Sequence, residues 1–186
     1  MVAPDQIGWG KSPKPDIHYS FQLLAANTAA LLDHLGAGNV AVLGHSTGGM
    51  TAARFTLMYP GRVTHLVLED PLGLADYRTG IQPQSEETLY EHELNWTDPA
   101  VIRGYVSGYF VHPDPKVWGA AARRPGAGDP RPGLPAVGPR RRRARHPRAT
   151  RVVIPECGHI PHPEHPSRFL GELLPFLAGQ PQSASK

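Results

Sequence analysis

The stretch that most constrains this chain is Val40-Ala41-Val42-Leu43-Gly44-His45-Ser46-Thr47-Gly48-Gly49. A short apolar run suits a buried strand, and the residues after it, Met50 to Phe55, suit a helix. Between the two stands G-H-S-T-G. A bare G-x-S-x-G occurs by chance in many chains, so it carries weight only in this strand–turn–helix setting. There it predicts a tight, strained turn that lifts the Ser46 hydroxyl above the carboxyl end of the strand. Gly44 and Gly48 are expected because a Cβ at either would strike the neighbouring strand or helix. The backbone N–H of Thr47, at the positive end of the following helix, would face a developing oxyanion.

Either side of this turn the pattern alternates. Ser20 is a good N-cap, and Phe21, Leu24, Ala25, Thr28, Leu31, Leu32 and Leu35 recur at helical spacing before Gly36 stops the run. The helix after the turn should reach about Tyr59, ahead of Pro60. Val63–Leu68 reads as a second buried strand, with Glu69 and Asp70 at its carboxyl end. Strand, helix, strand is the rhythm of a parallel α/β sheet with its ligand crevice at the carboxyl ends. Val2-Ala3-Pro4 reads as the tail of a further strand, and Thr150–Ile154 as another. A last helix is expected from Pro166 to Leu177, with Phe169, Leu170, Leu173, Leu174 and Leu177 on its apolar face.

Two segments break the rhythm. Residues 71–118 are polar and aromatic, with helices expected near Glu86–Asn95 and Ala100–Tyr109, and read as a cap or lid rather than an ordinary surface insertion. Residues 119–149 show neither helical nor strand periodicity. The chain has 21 prolines and 20 glycines in 186 residues, well above the usual share of about 12%, and this segment concentrates them. It also holds arginines at 140, 141, 142, 143, 145 and 148. That composition cannot bury a core, so disorder is expected there. The domain is expected over 1–178, with 179–186 as a tail.

The net charge of +3 therefore comes from one insert and not from a dispersed basic face. Clustered arginines bind phosphate, but no aromatics interleave these and no nucleic-acid motif accompanies them, so no nucleic-acid partner is expected. The single cysteine, Cys157, excludes an internal disulfide and points to a reducing, cytoplasmic compartment. The residues from Met1 lack the basic and apolar regions of a signal peptide, and no apolar run is long enough to span a bilayer, so no membrane partner is expected.

These pieces resemble the α/β-hydrolase family. Asp5-Gln6-Ile7-Gly8-Trp9-Gly10-Lys11-Ser12 is similar to the loop after the family's fourth strand, and Gly44–Met50 to its nucleophile elbow. Val152–Phe169, with its G-H-I-P-H-P-E-H-P run, is similar to its last strand, catalytic-histidine loop and final helix. The resemblance implies a partial α/β-hydrolase fold, a mostly parallel sheet with helices on both faces and a cap insertion. It implies a serine hydrolase acting on an ester-like small molecule, with Ser46 as nucleophile, His159 as general base, the Thr47 N–H in the oxyanion hole, and no cofactor or metal. The acid is Asp129, in Gly-Ala-Gly-Asp-Pro, or Asp70 after the Val63–Leu68 strand. His45, His162 and His165 are expected to shape the site without transferring protons, and Cys157 to serve packing.

Against the family pattern, the N-terminal strands, the loop that supplies a second oxyanion donor and an intact seventh strand are not recognisable. A truncated or frameshifted product, weakly active and poorly soluble, is the corresponding expectation. The competing function is a catalytically inactive relic or binding protein that keeps the elbow.

Overall fold

The computed structural model describes residues 1–74, 84–88, 91, 100, 104, 106–111 and 149–179. The chain divides into two compact units, Met1–Asp76 and Tyr77–Lys186.

The first unit is built on α1 (Phe21–His34), β1 (Val40–His45), α2 (Thr47–Met58), a 3-10 turn (Pro60–Arg62) and β2 (Val63–Glu69). Helix α1 begins where the sequence says it should. The Ser20 Oγ accepts from the Leu23 N–H at 3.1 Å, satisfying one of the four donors a helix start leaves orphaned. It ends in a Schellman motif: Ala37 N–H donates to Leu32 O at 2.9 Å and Gly36 N–H to Asp33 O at 3.0 Å. That closure needs the left-handed backbone which Gly36 adopts at φ 64°. The guanidinium of Arg62 then holds the following connection. Its Nε donates to Gly38 O at 3.0 Å, its Nη2 to Ala37 O at 2.7 Å, and its Nη1 meets Asp33 Oδ1 at 2.7 Å.

Strands β1 and β2 pair in parallel, Ala41 opposite His65, Val42 opposite Leu66 and His45 opposite Glu69. The crossover between them is α2, which binds the sheet to α1. Their shared core is Ala25, Ala29 and Leu32 from α1 around Phe55 of α2, which is 1% exposed. Val40, Val42, Tyr59 and Val63 pack against that cluster. The alternation of β1 thus sends Val40 and Val42 into the core, while Ala41 and Leu43 are exposed on the opposite face. Of the expected α1 stripe, Leu24, Ala25 and Leu32 are buried, whereas Leu35, just past the last turn, is exposed.

Residues 2–4 form no strand, contrary to expectation; no described strand pairs with them, and a strand exists only with a ladder partner. The Asp5–Ser12 loop is ordered locally instead. The Asp5 carboxylate accepts from the Lys11 N–H at 2.8 Å, and Ser12 Oγ donates to Asp5 O at 2.7 Å.

In the second unit the described elements include α3 (Pro161–Glu164) and α4 (Pro166–Leu177). Residues 86–88 and 106–107 are helical, within the two helices expected of the 71–118 segment; most of that segment, residues 119–148 and residues 180–186 lie outside the described residues. The expected strand over Thr150–Ile154 is absent: these residues have no ladder partner among the described residues, and the described sheet has only β1 and β2. On α4, Phe169, Leu173 and Phe176 are half-buried, but Leu170, Leu174 and Leu177 are exposed, so the buried stripe is narrower than the sequence pattern suggested.

Candidate active site

Ser46 sits between the last residue of β1 and the first of α2, at φ 51° and ψ −120°. A side chain with a Cβ pays for such a conformation in steric energy, of order 1–3 kcal/mol, and the surroundings must impose it. They do so through the backbone. The Ser46 N–H donates to Glu69 O at 3.1 Å, and the Ser46 carbonyl accepts from Gly49 N–H at 2.9 Å and Leu72 N–H at 3.1 Å. The turn is therefore pinned to the end of β2, to its own helix and to the segment after β2.

The glycines explain why this turn fits. A Cβ on Gly44 would run into the carbonyl of Gly48, with the Gly48 carbonyl carbon at 2.6 Å and the Ala52 Cβ at 2.8 Å. Strand and helix pass too close for any side chain there. The same expectation for Gly48 is wrong: a Cβ at Gly48 meets nothing within 4 Å. Gly48 supplies the carbonyl that crowds Gly44, and its own Cβ direction points to open space. The crowded glycine of the helix is Gly49, where a Cβ would lie 2.6 Å from Pro71 Cβ. Thr47 is the first residue of α2, so its N–H belongs to the turn of donors that has no intrahelical acceptor. Asp70 follows β2 with a left-handed φ of 40°. Glu69 beside it is buried at 5% exposure.

His159 lies in the second unit, in the loop between residue 154 and α3. Its N–H donates to Tyr109 O at 2.7 Å, and its ring stands 5.0 Å from the Tyr109 ring, tilted by 45°. Gly158 is required by the same contact: a Cβ there would strike the Tyr109 carbonyl and lie 2.9 Å from the Phe110 Cα. His165 holds the start of the loop, its Nε2 lying 2.9 Å from Glu156 O. A carbonyl can only accept, so Nε2 carries the proton in this contact. His162 packs its ring 6.1 Å from that of Phe169. Cys157, the single cysteine of the chain, is half-buried.

Sequence reasoning missed the side chain that knits this loop together. Glu164, the last residue of α3, accepts from the Val111 N–H through Oε1 and from the Gly158 N–H through Oε2, both at 2.7 Å. Its only sequence signal is its place in the run from Gly158 to Pro166. Asp129 lies outside the described residues. Among the described residues no three His, Cys, Asp or Glu side chains gather as metal ligands. No helix among them is long and apolar enough to cross a membrane.

A family profile described as alpha/beta hydrolase fold matches residues 1–126. The chain belongs to that family. A solved structure of a probable hydrolytic enzyme from Pseudomonas aeruginosa PAO1 is 30% identical, covers 91% of this chain and 73% of its own, and superposes with a TM-score of 0.71. An esterase from Exiguobacterium antarcticum shares the fold at 20% identity and a TM-score of 0.51, over 62% of this chain and 45% of that one. Among curated relatives, lipase LipV of Mycobacterium tuberculosis is 33% identical over 63% of this chain and 44% of its own length. A 2-hydroxy-6-oxo-2,4-heptadienoate hydrolase of Pseudomonas putida is 36% identical over 40% of this chain and 28% of its own. A probable 1-acylglycerol-3-phosphate O-acyltransferase of Oryza sativa subsp. japonica is 30% identical over 56% of this chain and 28% of its own. The chain thus matches less than half the length of each of these three relatives. At the level of the family it is hydrolase-like, with an α/β fold built on a parallel sheet.

Proposed function

We propose that this chain is a serine hydrolase acting on a carboxylic ester or related acyl compound through Ser46, His159 and a carboxylate, Asp129 or Asp70. The observation that carries the proposal is the backbone of Ser46. A non-glycine residue at φ 51°, held by three backbone hydrogen bonds over a glycine with no room for a side chain, is costly to keep for packing alone. It is what a nucleophile needs to stand clear of both strand and helix.

In this scheme His159 accepts the Ser46 proton as Oγ attacks the acyl carbon. The carbonyl oxygen becomes an oxyanion and takes the Thr47 N–H at the start of α2. Collapse expels the alcohol, protonated by His159, and leaves an acyl-serine. Water, deprotonated by the same histidine, then releases the acid. The carboxylate keeps the imidazole in the tautomer that can accept the proton. The lipase and the dienoate hydrolase among the relatives support hydrolysis. The acyltransferase relative supports a second reading, in which an alcohol and not water takes the acyl group from the same acyl-serine.

Covalent labelling by a fluorophosphonate tests the proposal. The parent chain should be labelled at one serine and the Ser46→Ala chain not at all. Absence of labelling in a folded parent would favour an inactive relative that retains the elbow. Formation of a transesterified product with added glycerol, beside the free acid, would favour the transferase reading.

A further inference from the structure

The Glu164 carboxylate joins two stretches of backbone that are distant in sequence. Oε1 accepts from Val111 N–H, 53 residues away, and Oε2 from Gly158 N–H, each at 2.7 Å, with Cys157 Sγ 3.9 Å from Oε2. Between these two anchors the chains touch directly: His159 N–H donates to Tyr109 O at 2.7 Å, and Gly158 lies against Tyr109 and Phe110 with no space for a Cβ. Glu164 is half-buried, where a carboxylate is costly unless its oxygens find donors, and both have found one. An ionised carboxylate is suited to this task because both its oxygens accept only. A glutamine in its place keeps one acceptor and turns the other position into a donor facing an N–H.

We propose that Glu164 is the positioning residue for His159: a clasp that seats the histidine loop on the 106–111 segment and so fixes where the imidazole stands. The inference rests on the reading of His159 as general base. Gly158 and His159 are consecutive, so the Gly158 bond to Oε2 lies one residue from the imidazole's own Cα. The Val111 bond holds the opposing segment two residues beyond Tyr109. Breaking either lets the two stretches slide, and the imidazole moves with its backbone. Misplacement of a catalytic group by an ångström costs up to about 10²-fold in rate.

The test uses the full chain with Glu164→Gln and Glu164→Ala, measuring amide hydrogen exchange at Val111, Gly158 and His159. In parallel, kcat and KM on 4-nitrophenyl acetate are measured per fluorophosphonate-titrated site. Glutamine should accelerate exchange about tenfold at one of Val111 and Gly158. It should also lower kcat about tenfold with KM unchanged. Alanine should deprotect all three amides and lower kcat about 10²-fold. A purely structural role would lower the titratable fraction and leave kcat per titrated site at the parent value, which would overturn the proposal. Unchanged protection at the His159 amide in Glu164→Ala would overturn it as well. If Ser46→Ala labels and turns over like the parent, the nucleophile reading falls instead. Exchange at His159 then still decides the clasp, loss of protection supporting it and full protection refuting it.

Discussion

The Ser46 N–H reaches the Glu69 carbonyl at 3.1 Å, extending the parallel ladder between β1 and β2 by one bond beyond the last residue of β1. The strained turn is thus built as a continuation of the sheet. Its geometry is held by the strands that precede it and by the helix that follows.

The glycines of the turn should respond unequally to alanine. Gly44→Ala places a Cβ against the Gly48 carbonyl, which is backbone and cannot step aside. A loss of about 1–3 kcal/mol or more is expected. Gly48→Ala, with open space around the new Cβ, should be neutral or slightly stabilising, since alanine favours the helix by roughly 0.5–1 kcal/mol over glycine. Urea unfolding of the two variants checks the order; equal losses would mean that the strand and helix do not approach as described.

Relief of strain at Ser46 should be measurable. Ser46→Gly accepts φ 51° without a Cβ penalty, offset in part by the freer unfolded chain. A net gain of about 1 kcal/mol in unfolding free energy is expected. Fluorophosphonate labelling should disappear at the same time. Ser46→Ala should lose labelling with little change in stability, because its Cβ keeps the strain. If glycine and alanine proved equally stable, the turn would not be storing energy.

Arg62 holds the connection between α1 and β1 through two carbonyls, and its ion pair with Asp33 adds little because the Asp33 side chain is 65% exposed. Arg62→Met should therefore cost about 1–3 kcal/mol in thermal or urea unfolding. Asp33→Asn should cost less than about 0.5 kcal/mol. A larger loss from Asp33→Asn than from Arg62→Met would invert this assignment.

The proposed general base and acid separate by substitution. His159→Ala should remove nearly all turnover of a nitrophenyl ester. Of Asp129→Asn and Asp70→Asn, the one that replaces the orienting carboxylate should lower kcat by about 10⁴. The other should change it less than tenfold. Small, equal losses from both would show that neither carboxylate orients the histidine.

Local chemistry determined most of the first unit from sequence alone. Ser20 and Gly36 mark the ends of α1 because capping needs only neighbouring donors and a residue free to take positive φ. The limits of β1, α2 and β2 follow from an apolar run, a G-x-S-x-G turn and Pro60, each a property of a few adjacent residues. Contacts between distant residues were decided by the tertiary structure. Which glycine of the elbow has no room depends on where the Gly48 carbonyl and Pro71 lie in space, so Gly44 was legible, Gly48 was misjudged and Gly49 went unnoticed. Thr150–Ile154, ending in Val152-Val153-Ile154, has strand character, yet strand formation needs a ladder partner that no local pattern specifies. Glu164 shows the same limit most plainly. Nothing in its neighbours predicts a bond to Val111, because a side-chain acceptor finds its donor only after the fold has brought together two positions 53 residues apart in sequence.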